Sequence, residues 1–289
     1  MKNKHFITTI ITTIITYGIL TASSHAVSIF GIGTNNSLYQ FDSATPGTVN
    51  QIGAAGSASN LVDIDFHGAN GLLYGVSSAG LTYTVNIQTG AQTQVTTPLD
   101  TLSGITAIDF NPLADRIRLV GSGNFNARLT PDVQTAPTAT QANGTVTMDA
   151  SFSLFQSDGT TARSGATVLG AGYTNPIDNP SATTLYTLAS DGFLSMHTAP
   201  TGSFAIGNAV GVAGLGFIPV GSGFDIGVNG SGYAFDGTNL RLIDITTGTS
   251  TSLGAVGVGI RSLAVVPEPS TYLLGAVACL GLLRRRRTP

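Results

Sequence analysis

Between residues 27 and 266 apolar and polar positions alternate with period two, in short runs separated by Gly, Asn and Thr-Gly punctuation. Val62-Asp63-Ile64-Asp65-Phe66 alternates apolar and acidic residues, Leu72-Leu73-Tyr74-Gly75-Val76 follows a His-Gly-Ala-Asn-Gly turn, Leu81 to Val85 comes next, and Gln92 to Val95 follows a Thr-Gly turn. Such alternation places successive side chains on opposite faces of a sheet, so these runs predict four short strands in sequence. The set recurs as Ala107 to Phe110, Arg116 to Val120, Arg128-Leu129 and Thr145 to Met148. It recurs again as Phe224 to Val228, Gly232 to Phe235, Leu240 to Asp244 and Thr249 to Leu253.

A repeat fixes the architecture these strands predict. Five related segments surround Asp42, Asn86, Asp132, Thr198 and Asp244, at spacings of 44, 46, 66 and 46 residues, with a polar insertion around Gln141 to Gly165 in the long step. A period near ~45 residues with four strands per unit is the signature of a β-propeller. The first unit, Ser28 to Gly53, has only the last three strands, whereas Gly259 to Val265 reads as an unpaired first strand. Joining the two predicts an all-β fold: a five-bladed propeller whose first blade is completed by the C-terminal strand, leaving no ring edge exposed.

Val62-Asp63-Ile64-Asp65-Phe66, the partner run Ile108 to Leu119 and the Leu-Tyr-x-Val-Asn-x-x-Thr-Gly pattern resemble a bacterial extracellular family known only as domain of unknown function 4394. The likeness covers nearly all of residues 27–266, and it carries no activity, cofactor or catalytic residue over to this chain.

The termini predict an itinerary. Lys2 and Lys4, an apolar Phe6 to Leu20 and small residues up to Ala26 match a signal peptide over residues 1–26, cut by signal peptidase after Ala26. At the other end, residues 267–289 hold Pro267-Glu268-Pro269, an apolar stretch from Tyr272 to Leu283, and Arg284-Arg285-Arg286-Arg287. This order resembles a PEP-CTERM sorting signal. The resemblance implies a sortase-like membrane enzyme that reads the Pro-Glu-Pro, a transient inner-membrane anchor, and export to the surface of a Gram-negative cell. The apolar stretch is short of the ~20 residues of a full span, so it predicts a weak anchor helix. The arginines favour the cytoplasmic side.

Charge and cysteine content narrow the function. Between the two signals there are six arginines, no lysine and fourteen aspartates. An acidic body without lysine is a poor polyanion ligand, which argues against nucleic-acid binding. The one cysteine, Cys279, lies in the tail, so the body has neither a disulfide nor a thiolate metal site.

The first strand of each blade is expected to line the channel, placing Asp65, Asp109, Tyr173, Asp225 and Ala264 at equivalent positions. Three converging carboxylates could share protons and act as an acid and base pair in glycoside hydrolysis, or gather Ca²⁺ through oxygen ligands. The favoured reading is that they are repeat residues that accept neighbouring backbone N–H groups and cap turns, because a residue recurring in every unit usually serves the unit. His67 and His197 are expected in turns without paired ligand spacing, Asp115-Arg116-Ile117-Arg118 could bind an anion but reads more readily as a surface ion pair, and no serine motif or phosphate loop is present. Three functions follow. The leading one is a non-catalytic exported module at the cell surface or in the matrix, binding extracellular polysaccharide or protein partners in exopolysaccharide or biofilm. The alternatives are a polysaccharide hydrolase or lyase using the channel aspartates, and a purely structural matrix protein.

Overall fold

The computed structural model describes residues 26–136, 141–198 and 204–267. Five antiparallel sheets surround one axis. The first blade joins β21 (Ile260–Val265), β1 (Ser28–Gly33), β2 (Leu38–Asp42) and β3 (Thr45–Ile52) in that spatial order. The second contains β4 (Asp63–Phe66), β5 (Leu73–Val76), β6 (Thr82–Val85) and β7 (Gln92–Thr96). The third contains β8 (Ile105–Asn111), β9 (Arg116–Gly121), β10 (Phe125–Leu129) and β11 (Val146–Met148). β13 (Val168–Tyr173), β14 (Leu185–Ala189), β15 (Leu194–Thr198) and β16 (Ile206–Ala209) form the fourth, and β12 (Ser153–Phe155) runs parallel to β16 on its outer edge. The fifth contains β17 (Phe224–Ile226), β18 (Gly232–Phe235), β19 (Asn239–Asp244) and β20 (Thr249–Ala255). The five-bladed ring and its shared first blade match the repeat reading. The insertion differs, because part of it supplies a fifth strand that covers the outer edge of blade four.

Period two builds the core because each blade is a sheet packed on both faces. Five apolar clusters form, one at each blade interface. Adjacent residues on a strand serve different clusters. Ile29 packs with Tyr233 and Phe235 of the fifth blade, while Phe30 packs with Ile64 and Phe66 of the second. Leu73 and Tyr74, and Leu185 and Tyr186, divide in the same way. That is why second strands such as β5 and β18 read as nearly continuous apolar runs, whereas the innermost strands keep polar residues in alternation.

Turns recur with the blades. Asp42, Asn86 and Asp244 each accept backbone amides two or three residues onward through Oδ1, so asparagine replaces aspartate without loss of the turn. A second device is Asn35, Asn70 and Asn229, whose side-chain amides donate to Tyr39, Tyr74 and Tyr233 at 2.7, 3.1 and 2.9 Å.

No helix among the described residues is long and apolar enough to cross a membrane. Ala26 and Pro267 stand at the two ends of the described body. The rest of the expected signal peptide, and Glu268, Pro269 and Arg284 to Arg287 of the expected sorting signal, lie outside the described residues.

Candidate functional site

The innermost strand of each blade pairs on one side only, so its channel-side edge offers amides that no ladder satisfies. The preceding blade supplies the acceptors. Phe110 donates to Asp65 Oδ2 at 2.7 Å, Tyr173 to Asp109 Oδ1 at 3.0 Å, and Val265 to Asp225 Oδ2 at 2.6 Å. Each donor directly follows the axial residue of its own strand. The axial residue of blade four is therefore Gly172, and the expected Tyr173 is one position off. A Cβ on Gly172 would stand 3.0 Å from Ile226 Cγ1, so an aspartate there would crowd Ile226 and Phe224.

Blades one and four, with Ala264 and Gly172, offer no carboxylate to the next strand. The aspartate of that strand turns back instead: Phe66 donates to its neighbour Asp65 Oδ1 at 2.7 Å, and Ile226 to Asp225 Oδ1 at 2.5 Å. Five edge amides are thus served by five of the six carboxylate oxygens. Asp109 Oδ2 accepts no hydrogen bond from the described residues.

The three aspartates are 7, 3 and 5% exposed, and one oxygen from each lies within 4.8 Å of the others. Burial is the main force on their protonation and raises all three pKa values. Asp225 is pushed up to about 7, while Asp65 and Asp109 are raised further by neighbouring carboxylates. Two oxygens sharing a calcium ion at ~2.3–2.6 Å lie no more than about 5 Å apart, so the spacing fits a hard cation, with Asp65, Asp109 and Asp225 as its protein ligands.

One further axial acid was visible in the sequence but not recognised. Asp63 lies two residues before Asp65 on the same face, accepts Ile108 N at 2.7 Å and Ser262 Oγ at 2.6 Å, and is pushed by burial up to about 7. Period two was the available signal. Ser222, near the mouth of the channel, borders a cleft of about 370 Å³ whose lining includes Thr106, Ser122, Gly123 and Thr167.

Other expectations change. His197 lies within β15 rather than in a turn. It is buried between Thr187 Oγ1 and the Phe204 carbonyl, with its pKa pushed down by burial to about 3. Asp115 and Arg116 do not form a surface ion pair. Both are buried: Asp115 meets His67, Thr135 and Ala136, and Arg116 reaches Gln141.

Five blades around buried axial carboxylates define a β-propeller whose ring is closed by the pairing of β1 with β21. The match of residues 37–264 to a domain of unknown function, DUF4394, makes this chain a member of that family. No curated protein matches. Among solved structures, it is similar to a symmetrical protein described for its de novo evolutionary emergence, at 14% identity and TM-score 0.46, covering 84% of this chain and 100% of the other. It is also similar to a structural-genomics protein of unknown function from Bacteroides thetaiotaomicron VPI-5482, at 18% identity and TM-score 0.45, covering 83% of this chain and 60% of the other. Neither likeness carries a function.

Proposed function

We propose that this chain is an exported, non-catalytic binding ring of the cell surface or extracellular matrix, with extracellular polysaccharide as its partner. One observation carries the non-catalytic reading: five of the six axial carboxylate oxygens are committed to edge amides of neighbouring strands. Glycoside hydrolysis needs two carboxyl groups flanking a sugar linkage with their oxygens available to it. Here a single oxygen, on Asp109, is uncommitted, and the acids are too buried to admit a sugar ring between them. The hydrolase or lyase alternative is therefore the less favoured reading of these acids.

The cleft at the channel mouth is the contact surface this reading assigns. Its lining, contributed by blades three to five, sets the hydroxyls of Thr106, Ser122, Thr167 and Ser222 beside glycines and the apolar Val168 and Leu169, a mixture that can meet both the hydroxyls and the C–H face of a sugar. Export rests on the two terminal signals in the sequence, with the sortase-like enzyme and signal peptidase as processing partners. The test is a polysaccharide array probed with the purified protein. Binding without turnover, weakened by Ser122→Trp or Thr167→Trp, supports the proposal. Turnover abolished by Asp109→Asn would restore the hydrolase, and absence of both would leave a structural matrix ring.

A further inference from the structure

The cross-strand face of blade three gathers more positive charge than it neutralises. Arg118 on β9 stands directly opposite Arg128 on β10, and Arg116 lies two residues earlier on the same face as Arg118. Asp149 is the carboxylate among them. Its Oδ2 accepts Arg118 Nη1 at 2.7 Å and Arg128 Nε at 2.9 Å, and its Oδ1 accepts Arg128 Nη2 at 2.8 Å. Arg116 has no carboxylate partner among the described residues. The two internal segments outside them, 137–140 and 199–203, contain no acidic residue that could supply one.

Arg116 is nonetheless 7% exposed, and a guanidinium stays charged at any physiological pH. Its acceptors are neutral. Gln141 Oε1 meets Nη1 at 2.5 Å, and Nη2 reaches Arg128 O, Thr145 O and Thr147 Oγ1 only at 3.3–3.4 Å. Nε is buried without a partner. The edge formed by Nε and Nη2 is the one that grips the two oxygens of a carboxylate side-on, and in this molecule that edge is the weakly held one. A buried cation that touches no carboxylate, aided only through space by Asp149 and opposed by two more arginines, is costly, so the site favours an anion.

We infer that Arg116, supported by Arg128 and covered by Gln141, is an oxyanion site that takes a carboxylate or sulfate group. The Gln141 amide oxygen stands in for one oxygen of the ligand. The side chain of Gln141 is exposed, so it can yield this place without unpacking the blade. The site is independent of the cleft at the channel mouth, and either can fail without the other.

The probes are glucuronate, with glucose as its neutral counterpart, and inorganic sulfate. Each is followed by the melting temperature of the purified protein and by titration calorimetry. At about ten times the dissociation constant, mass action predicts a rise of roughly 3–6 °C for a chain of this size. Arg116→Gln should remove it. Gln141→Glu guards against misfolding of that variant, because it places a carboxylate on Arg116 from within. It should raise the melting temperature without ligand and abolish the ligand-dependent rise. A glucuronate response absent with glucose identifies a sugar acid as ligand. A response to sulfate alone, exceeding that of Gln141→Glu, identifies a small inorganic anion. If neither probe shifts the wild-type protein, or if Gln141→Glu neither stabilises it nor removes the response, Arg116 is not an anion site.

Discussion

The amide of Val265 donates to Asp225 Oδ2 at 2.6 Å, tying the last strand of the ring to the inner strand of the fifth blade. On its other side, β21 pairs with β1 from Ile29↔Val265 to Gly33↔Ile260, and its Ser262 serves both Ile64 N and Asp63. One strand therefore contacts blades one, two and five. Deleting Gly259 to Val266 should expose the edge of β1, open the ring and exceed the ~5–15 kcal/mol by which domains are stable. Size-exclusion chromatography should show aggregate. A soluble monomer with unchanged melting temperature would refute closure by the C-terminal strand.

Export makes a separate expectation. The mature protein should begin near Val27 and end close to Pro267-Glu268-Pro269, which intact mass can read directly. Glu268→Ala should leave the body folded and hold the chain in the inner membrane. Normal release of that variant would remove the sorting signal from the account.

The ring was legible because its repeats are periodic and its turns use residues with fixed chemistry, such as Asp42, Asn86 and Asp244. The axial cluster was legible for a related reason: Asp65 and Asp109 occupy the same place in two aligned strands. Blade four was read one residue out because its strand carries no aspartate, and Gly172 beside a buried Tyr173 left nothing polar to align. The Asn35–Tyr39, Asn70–Tyr74 and Asn229–Tyr233 pairs repeat a four-residue spacing, but asparagine in a turn already has a sufficient local explanation, which hid the tyrosine bond. No spacing rule could show that Arg116 lacks a carboxylate, because Asp115 beside it in sequence turns away to His67 and Thr135.

Stability should depend on pH in a direction opposite to that of paired carboxylates. Burial raises the folded pKa of Asp63 and Asp225 to about 7, above the ~3.9 of an unfolded aspartate, so the native state binds more protons. Their contribution is fully present below pH ~4 and is lost as pH rises through about 7. Asp225→Asn keeps an oxygen acceptor for Val265 but cannot ionise. It should therefore gain on wild type as pH rises from 5 to 8, by an amount on the order of 1–4 kcal/mol. Urea titrations across that range measure the difference. A wild-type stability that climbs with pH in parallel with Asp225→Asn would mean the axial acids are ionised without penalty.

Calcium offers the cluster another way to shed its repulsion. As pH rises above about 7 Asp225 gives up its proton, and each further charge gathered among three carboxylates within 4.8 Å needs a counter-charge. Asp109 Oδ2 has no amide to satisfy, so it can turn fully to an ion, while Asp65 and Asp225 can share lone pairs already facing their amides. Binding to the native state alone stabilises it by mass action, so millimolar calcium should raise the melting temperature at pH 8 by a few degrees, about 2–4 °C per kcal/mol, and chelator should reverse it. At pH 5 protons compete and the rise should shrink. Asp109→Asn should blunt the response, because it removes the uncommitted oxygen's charge, whereas Asp158→Asn, on an exposed turn where the carboxylate accepts Thr160 and Thr161 amides, should not. A melting temperature indifferent to calcium at pH 8, in both wild type and Asp109→Asn, would leave the carboxylates with one role, the satisfaction of five edge amides around the axis.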